Sequence, residues 1–352
     1  MATSHPKVIA AMSGGVDSSV AAALLRDAGH EVTGITMRLL PQRGSQAESK
    51  AIEDARRVAA HLGIPHHVAD VAAPFQEHVL GYFVSEYSLG RTPNPCIRCN
   101  QRIKFGVLFD EARRLGGQFL ATGHYARIAC HEGRYAISRA RFREKDQSYV
   151  LAGLSQEQLR HAMFPLGEKT KDQTRAIARS MGLDIAETPE SQDICFIEDG
   201  DYRRFLAEQG LFGLPGPIVS ATGETLGAHT GLTNYTIGQR KGLGIAAPRP
   251  YYVLRLDTER NALVVGHHEE TFAKTLAARD VVWTGIPPQT APFECSIQIR
   301  YRHKAAPCTV DPAPDHFSAT FHEPQRAVTP GQWAVLYRRD LVLAAGIIDM
   351  AE

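Results

Sequence analysis

The sequence predicts an α/β protein: a parallel, doubly wound sheet followed by a small central domain and a C-terminal β-barrel. Three observations carry this. Buried-strand patterns alternate with helical patterns through the first half, as in Lys7–Met12, Val20–Leu25, Glu31–Met37 and Ala51–Leu62. At 352 residues the chain exceeds one ordinary domain. From Gly210 onward the texture changes to short alternating runs separated by glycine and proline, which suits a barrel. These shifts place the boundaries near residues 200 and 272, giving domains 1–200, 201–272 and 273–352.

The first strand runs directly into Ser13-Gly14-Gly15-Val16-Asp17-Ser18-Ser19 and then into a good helix sequence. A strand, a glycine turn and a helix N-terminus together make an anion site, because free N–H groups and the positive end of the helix dipole converge there. The serines add hydroxyl donors, and Ser18 or Ser19 could cap the helix. The pattern lacks the Lys-Ser/Thr pair of a Walker loop and the spaced glycines of a dinucleotide site. It resembles the loop of the ATP pyrophosphatases, which split ATP to AMP and pyrophosphate. Ala11, Met12, Ser13, Gly14, Gly15, Val16, Asp17 and Ser18 are therefore the expected ATP-binding stretch.

A second strand covers Glu31–Met37, residues 43–48 read as a polar loop, and Gly63 ends the helix that starts at Ala51. The third strand begins with His66-His67, whose side chains alternate to opposite faces and so make a poor metal pair. A helix over 74–88 and a fourth strand over Gln118–Thr122 follow, then Gly123-His124-Tyr125 and a later helix over 170–182. Ligands of such sheets gather at the carboxyl ends of the strands. The Ser13 loop, Met37 and Gly123 lie at three such ends, which brings them to one nucleotide pocket. The C-terminal strands are expected at 293–299, 308–310, 318–321, 333–337 and 341–347.

Composition narrows the function classes. With 39 basic and 38 acidic residues the net charge is +1, so any nucleic-acid contact needs a local basic face. No apolar run is long enough to span a bilayer and residues 1–6 form no apolar leader, so a cytoplasmic protein is expected. Six cysteines in this length are not a disulfide framework and point to catalysis or metal binding. Cys96 and Cys99 have the spacing of a metal pair or a redox pair. Two prolines hold their segment extended, and a helix following Cys99 would lower its thiol pKa. Cys195 is a thiol among apolar neighbours after a polar approach, whereas Cys130, Cys295 and Cys308 occupy ordinary strand contexts and read as structural.

Taken in order, Ser13–Ser19, Asn94-Pro95-Cys96-Ile97-Arg98-Cys99-Asn100, Ala121–Tyr125, Lys145–Tyr149 and Ser191–Phe196 resemble the tRNA-specific 2-thiouridylase family. Thr233–Gly244, Ile299–Arg302 and Thr329–Gln332 look like that family's later signatures, so the likeness spans the chain. The resemblance implies an adenine nucleotide α-hydrolase-like first domain and formation of 2-thiouridine at the wobble position of tRNA. The tRNAs implied are those for Lys, Glu and Gln, and the cosubstrate is Mg²⁺–ATP, with Asp17 a candidate metal ligand. By match to the family's motifs, Cys195 carries a persulfide received from a sulfur-relay protein or cysteine desulfurase. Cys99 resolves it, leaving a Cys99–Cys195 disulfide that an external reductant must open.

One position departs from the familiar pattern: Cys96 stands where members carry an Asp, which places in doubt the base role of that residue. Cys96, Cys99 and Cys195 could alternatively hold a [4Fe–4S] cluster with one open iron. Two rival classes remain: an ATP-dependent ligase with the same loop, which needs no cysteines, and a binding module whose cysteines hold zinc. For tRNA the resemblance points to Asn94, Pro95, Cys96, His124, Lys145, Asp146, Gln147, Arg300, Tyr301 and Gln332. Arg141–Gln147 mixes charge with an aromatic ring as RNA-contacting loops do, and Arg240-Lys241 and Arg300–Lys304 are further basic clusters.

Overall fold

The computed structural model describes residues 6–40, 46–131, 133–187, 194–197 and 200–352. The N-terminal residues 1–5, the loop residues Arg43–Ser45 and the motif residues Ser191, Gln192 and Asp193 lie outside the described residues. In chain order the strands are β1 (Lys7–Ala11), β2 (Glu31–Arg38), β3 (His66–Asp70), β4 (Phe119–Ala121), β5 (Ala126–His131) and β6 (Arg134–Arg139). They continue as β7 (Ala162–Met163), β8 (Gly216–Ser220), β9 (Thr225–His229), β10 (Tyr252–Asp257) and β11 (Ala262–Gly266). The last six are β12 (Phe272–Trp283), β13 (Phe293–Gln298), β14 (Ala306–Pro312), β15 (His316–Arg326), β16 (Trp333–Arg338) and β17 (Leu341–Ala351).

The first sheet has the order β3-β2-β1-β4-β7 with every pair parallel. The apolar strands Val8-Ile9-Ala10 and Leu120-Ala121 are buried on both faces, as crossover helices require. Successive strands step away from β1 in one direction and resume at β4 on its other side. The topological switch point is therefore between β1 and β4, where a ligand crevice opens at the carboxyl ends. The Ser13 loop and Gly123 leave from those two ends.

A four-stranded sheet of order β10-β11-β8-β9 forms the centre of the chain. The last six strands close into a barrel, because β12 pairs antiparallel with both β15 and β17. Closure removes the exposed edges that a six-strand sheet would present. The barrel begins with a long strand, Phe272–Trp283, that the sequence pattern had left out of the strand set.

Two further differences from the sequence reading have clear causes. The second helix runs Gln46–Leu62, so residues 46–48 are helical rather than part of a polar loop. The hairpin β5–β6 was not anticipated. It extends the barrel sheet through the pairing of β6 with β17, a long-range contact with no local signature. One continuous core accordingly includes Ile9, Ile35 and Leu120 of the parallel sheet together with Trp333, Tyr337 and Ile347 of the barrel.

Candidate active site

The nucleotide end is built by hydrogen bonds local to the first strand and turn. Met12 N–H donates to Ile35 O at 2.8 Å, and Thr36 Oγ1 donates to Met12 O at 2.7 Å, tying the end of β1 to β2. His66 Nε2 lies 2.8 Å from Thr36 Oγ1, and burial holds the His66 pKa below its usual range, so this ring braces a strand. Within the turn, Ser13 N–H donates to Ser18 Oγ at 3.1 Å and the Ser13 and Ser18 hydroxyls lie 3.2 Å apart.

Neither Ser18 nor Ser19 caps the helix Val16–Asp27, contrary to expectation. Both hydroxyls donate to Gly15 O, at 3.1 and 2.9 Å, and Gly15 occupies the cap position with no side-chain bond. No side chain then satisfies the first N–H groups of this helix, which leaves them directed at an anion. Gly14 has φ +75°, and a Cβ on Gly123 would lie 2.6 Å from Asp17 C and Ser18 N. Gly123 therefore rests directly on the first turn of the helix, which is how β4 meets the loop. Met37 is the penultimate residue of β2, pairs with Ala69 and packs against the main core.

Asp17 is held rather than free. Its Oδ1 accepts from Lys171 Nζ at 2.8 Å, and the Tyr125 hydroxyl lies 2.8 Å from the same oxygen and 3.0 Å from Thr174 Oγ1. Lys171 begins the helix Lys171–Ser180, whose start is fixed by a capping box between Thr170 and Gln173. The sequence places Lys171 only within the helix expected over 170–182, since its meeting with the Ser13 loop is a tertiary event.

The sulfur end sits on a helical segment that starts earlier than its prolines suggested. Asn94 is the N-cap, its Oδ1 accepting from Ile97 N–H at 3.3 Å, and Pro95 is the first helical residue, where its missing N–H costs nothing. Cys96 and Cys99 are three residues apart and share a helix face. Cys99 is buried, while Cys96 and Cys195 are exposed. Surrounding protein nevertheless raises all three thiols. Burial pushes Cys99 up to about 12. It also raises Cys96, with Cys195 adding to the effect, and raises Cys195. Burial thus overrides the lowering expected for Cys99, and Cys96 is a poor stand-in for a fixed carboxylate base.

Lys104 is the cation that opposes this in each case. It also acts on His124, whose pKa lies well below the ordinary range because of burial first and Lys104 second. His124 is therefore neutral, with Nδ1 2.7 Å from Thr122 Oγ1. Gly123 thus adjoins the loop, its chain neighbour His124 feels the charge of Lys104, and so do the three cysteines. Cys195 is set by its neighbour Phe196, whose ring packs on Phe75, Phe83 and Phe205 at 5.8, 5.4 and 5.1 Å. Among the described residues no group of three or more His, Cys, Asp or Glu is arranged to hold a metal ion.

Several residues expected at the RNA spend their side chains inward. Asp146 bonds Arg139 at 2.9 Å, accepts from Ala140 N–H and Ser148 Oγ at 2.8 Å each, and its side chain is 6% exposed. Gln147 Oε1 accepts from Tyr125 N–H at 2.9 Å. Gln332 Nε2 donates to Thr92 O at 2.8 Å and to Pro93 O at 3.4 Å, and Pro95 is buried. Asn94 is spent as a cap. Each of these polar side chains thus makes at least one bond that positions its own segment. Arg300 donates to Arg326 O at 3.3 Å, and Tyr301 is 40% exposed with its ring 6.2 Å from that of Tyr149. Lys145 ends the short helix Arg143–Lys145.

Comparison with known proteins gives a consistent result. Residues 6–199 match the tRNA methyl transferase HUP domain family, 203–267 its PRC-barrel domain and 273–348 the aminomethyltransferase β-barrel domain. The chain is 47% identical to the tRNA-specific 2-thiouridylase MnmA of Pelotomaculum thermopropionicum, covering 97% of each protein. It is 49% identical to the enzyme of that name from Geobacter metallireducens, covering 98% of this chain and 97% of that protein. With the one from Trichlorobacter lovleyi the identity is 47%, over 98% of both chains.

Proposed function

The chain belongs to the tRNA-specific 2-thiouridylase family, and on that footing we propose how its own residues carry ATP-dependent 2-thiolation of tRNA. The observation that supports the reading is that Gly123 rests on the Ser13 loop's helix while its neighbour His124 and the three cysteines all feel the charge of Lys104. An ATP-splitting loop and a set of thiols in one domain suit a reaction that first activates an oxygen and then replaces it by sulfur.

The carbonyl oxygen at C2 of uracil is a poor leaving group. Attack of that oxygen on the α-phosphorus of ATP forms an O–P bond and expels pyrophosphate, so AMP becomes the group to be displaced. The free N–H groups at the start of the helix Val16–Asp27 hold the phosphate charge, with Lys171 beside them. Mg²⁺ would neutralise charge developing on the phosphates. Asp17 suits it, because a carboxylate with one oxygen engaged and one remaining can share a metal that is held mostly by phosphates.

In the sulfur step, the terminal sulfur of a Cys195 persulfide forms a bond to C2 and AMP departs with the former carbonyl oxygen. The Cys99 thiolate then attacks the Cys195 sulfur, releasing the thiocarbonyl and forming a Cys99–Cys195 disulfide. Two electrons and two protons from an external dithiol restore both thiols. The persulfide sulfur comes from a relay protein or a cysteine desulfurase. The target is the wobble uridine of the tRNAs for Lys, Glu and Gln. His124, Lys145, Arg300 and Tyr301 face the RNA, and Asn94, Asp146, Gln147 and Gln332 position the segments around it.

Mass spectrometry of unmodified tRNA incubated with the protein, Mg²⁺–ATP and a sulfide source tests this. A 2-thiouridine at the wobble base is the expected result, lost with Cys195→Ser. Full activity of Cys99→Ser and Cys195→Ser on a small amide substrate would favour a ligase instead. Stoichiometric iron with acid-labile sulfide after anaerobic purification would favour the cluster on Cys96, Cys99 and Cys195.

A further inference from the structure

The helix that carries the cysteines changes its winding at the sulfur site. It starts as an α-turn over Pro95–Arg98 and becomes π-helical over Cys99–Val107. In an α-helix, Cys99 and Lys104 would be about 140° apart around the axis, on nearly opposite sides. A π-helix closes its hydrogen bonds over five residues instead of four, so five residues make roughly one turn and return to the same side. The wide turn thereby carries Lys104 round to the face of Cys99. Cys96, three residues earlier, shares that face through the α-turn.

Four groups from three chain segments lie within electrostatic reach of this ammonium. Cys96 and Cys99 come from its own helix, Cys195 from the segment after residue 193, and His124 from the end of β4. His124 is neutral, and no carboxylate among the described residues forms an ion pair with Lys104. Among the described residues, Lys104 is the cation that acts on all three thiols. π-helical turns are uncommon and are retained mostly where they place a functional group.

We propose that Lys104, brought into register by the π-helical turn, is the positioning cation of the sulfur site, drawing anionic sulfur toward it on Cys195 and opposing the burial that keeps Cys99 protonated. Its part in turnover rests on the sulfur-transfer reading above, but the local positive charge does not. The physical need is plain. Surroundings that disfavour thiolate must supply a cation if sulfur is to act as an anion there. A lysine also leaves the bonding pattern of sulfur unconstrained, since an ammonium is a compact charge with rotatable donors.

The test separates charge from structure by alkylating the protein alone, without tRNA or ATP. Iodoacetate is an anion and iodoacetamide is neutral, so the ratio of their rates at Cys195, read by peptide mass spectrometry, reports the local charge. Lys104→Met should lower that ratio about fivefold, and Lys104→Arg should restore it to within about twofold of the original protein. An unchanged ratio in Lys104→Met, with folding verified by circular dichroism, overturns the proposal. So does a Lys104→Arg variant that behaves like Lys104→Met. If the ratio falls as expected but the original protein fails to thiolate tRNA, the thiolation reading fails and the cation stands.

Discussion

Gln332 of the barrel donates its side-chain amide to Thr92 O at 2.8 Å, only four residues ahead of Cys96. Thr92 N–H in turn donates to Pro330 O at 2.9 Å. The C-terminal barrel is thus a clamp on the segment that carries two of the three site cysteines. Gln332→Ala removes a donor from two backbone carbonyls, a loss of about 1 kcal/mol in stability. The larger effect should be on kcat for thiolation, lowered about tenfold through misplacement of Cys96 and Cys99. The KM for ATP should stay unchanged. Steady-state kinetics on purified tRNA decide between this and a direct RNA contact, which would raise the KM for tRNA instead.

The Asp17–Lys171 pair makes a separate forecast for the nucleotide end. Lys171→Met removes a cation beside the loop and should raise the KM for ATP about tenfold, while Lys171→Arg retains most of the affinity. Pyrophosphate release at varied ATP measures it. A variant with normal KM and only reduced thermal stability would reduce Lys171 to a structural role.

Thiol reactivity should depend steeply on pH. Burial raises Cys99 to about 12, so at neutral pH it is almost wholly protonated. For a thiol raised above its ordinary value, the reactive thiolate fraction grows as pH rises toward the raised pKa. Alkylation of Cys99 by iodoacetamide should climb about tenfold per pH unit and show no plateau below about pH 10. A plateau near pH 8 would mean that Cys99 is not held in the environment described.

Asp146 offers a contrast between positioning and contact. Its carboxylate and the Arg139 guanidinium are 6% and 12% exposed, and Arg139 also lies over the Tyr337 ring at 3.6 Å. Asp146→Ala strands a buried cation and should cost about 3 kcal/mol, read as a lower denaturant midpoint. The tRNA affinity of the protein that remains folded should change little. Filter binding at two salt concentrations would show a weaker salt slope only if Asp146 shaped the charged RNA face itself.

What the sequence made legible follows from the range of each interaction. The parallel sheet and the Ser13 loop were readable because strand, turn and helix are adjacent in the chain. The barrel was readable from its alternating strands, though Phe272–Trp283 was missed because its exposed and buried residues alternate irregularly around a bulge between Ala273 and Thr275. Lys171 and Lys104 were missed for different reasons. Lys171 reaches Asp17 across 154 residues, and Lys104 reaches Cys99 only because the winding widens. The histidines His66 and His67 were read correctly as facing apart, but Thr36 as the partner of His66 was not visible.

The shared core of the first and last segments has a consequence for synthesis. Trp333, Tyr337 and Ile347 pack into the same interior as Ile9, Ile35 and Leu120, so a nascent chain cannot finish its catalytic interior until β17 has left the ribosome. Until those strands are in place, part of the apolar interior of the first domain has no cover. Losing β16 and β17 would therefore open the interior beneath the nucleotide loop as well as the barrel.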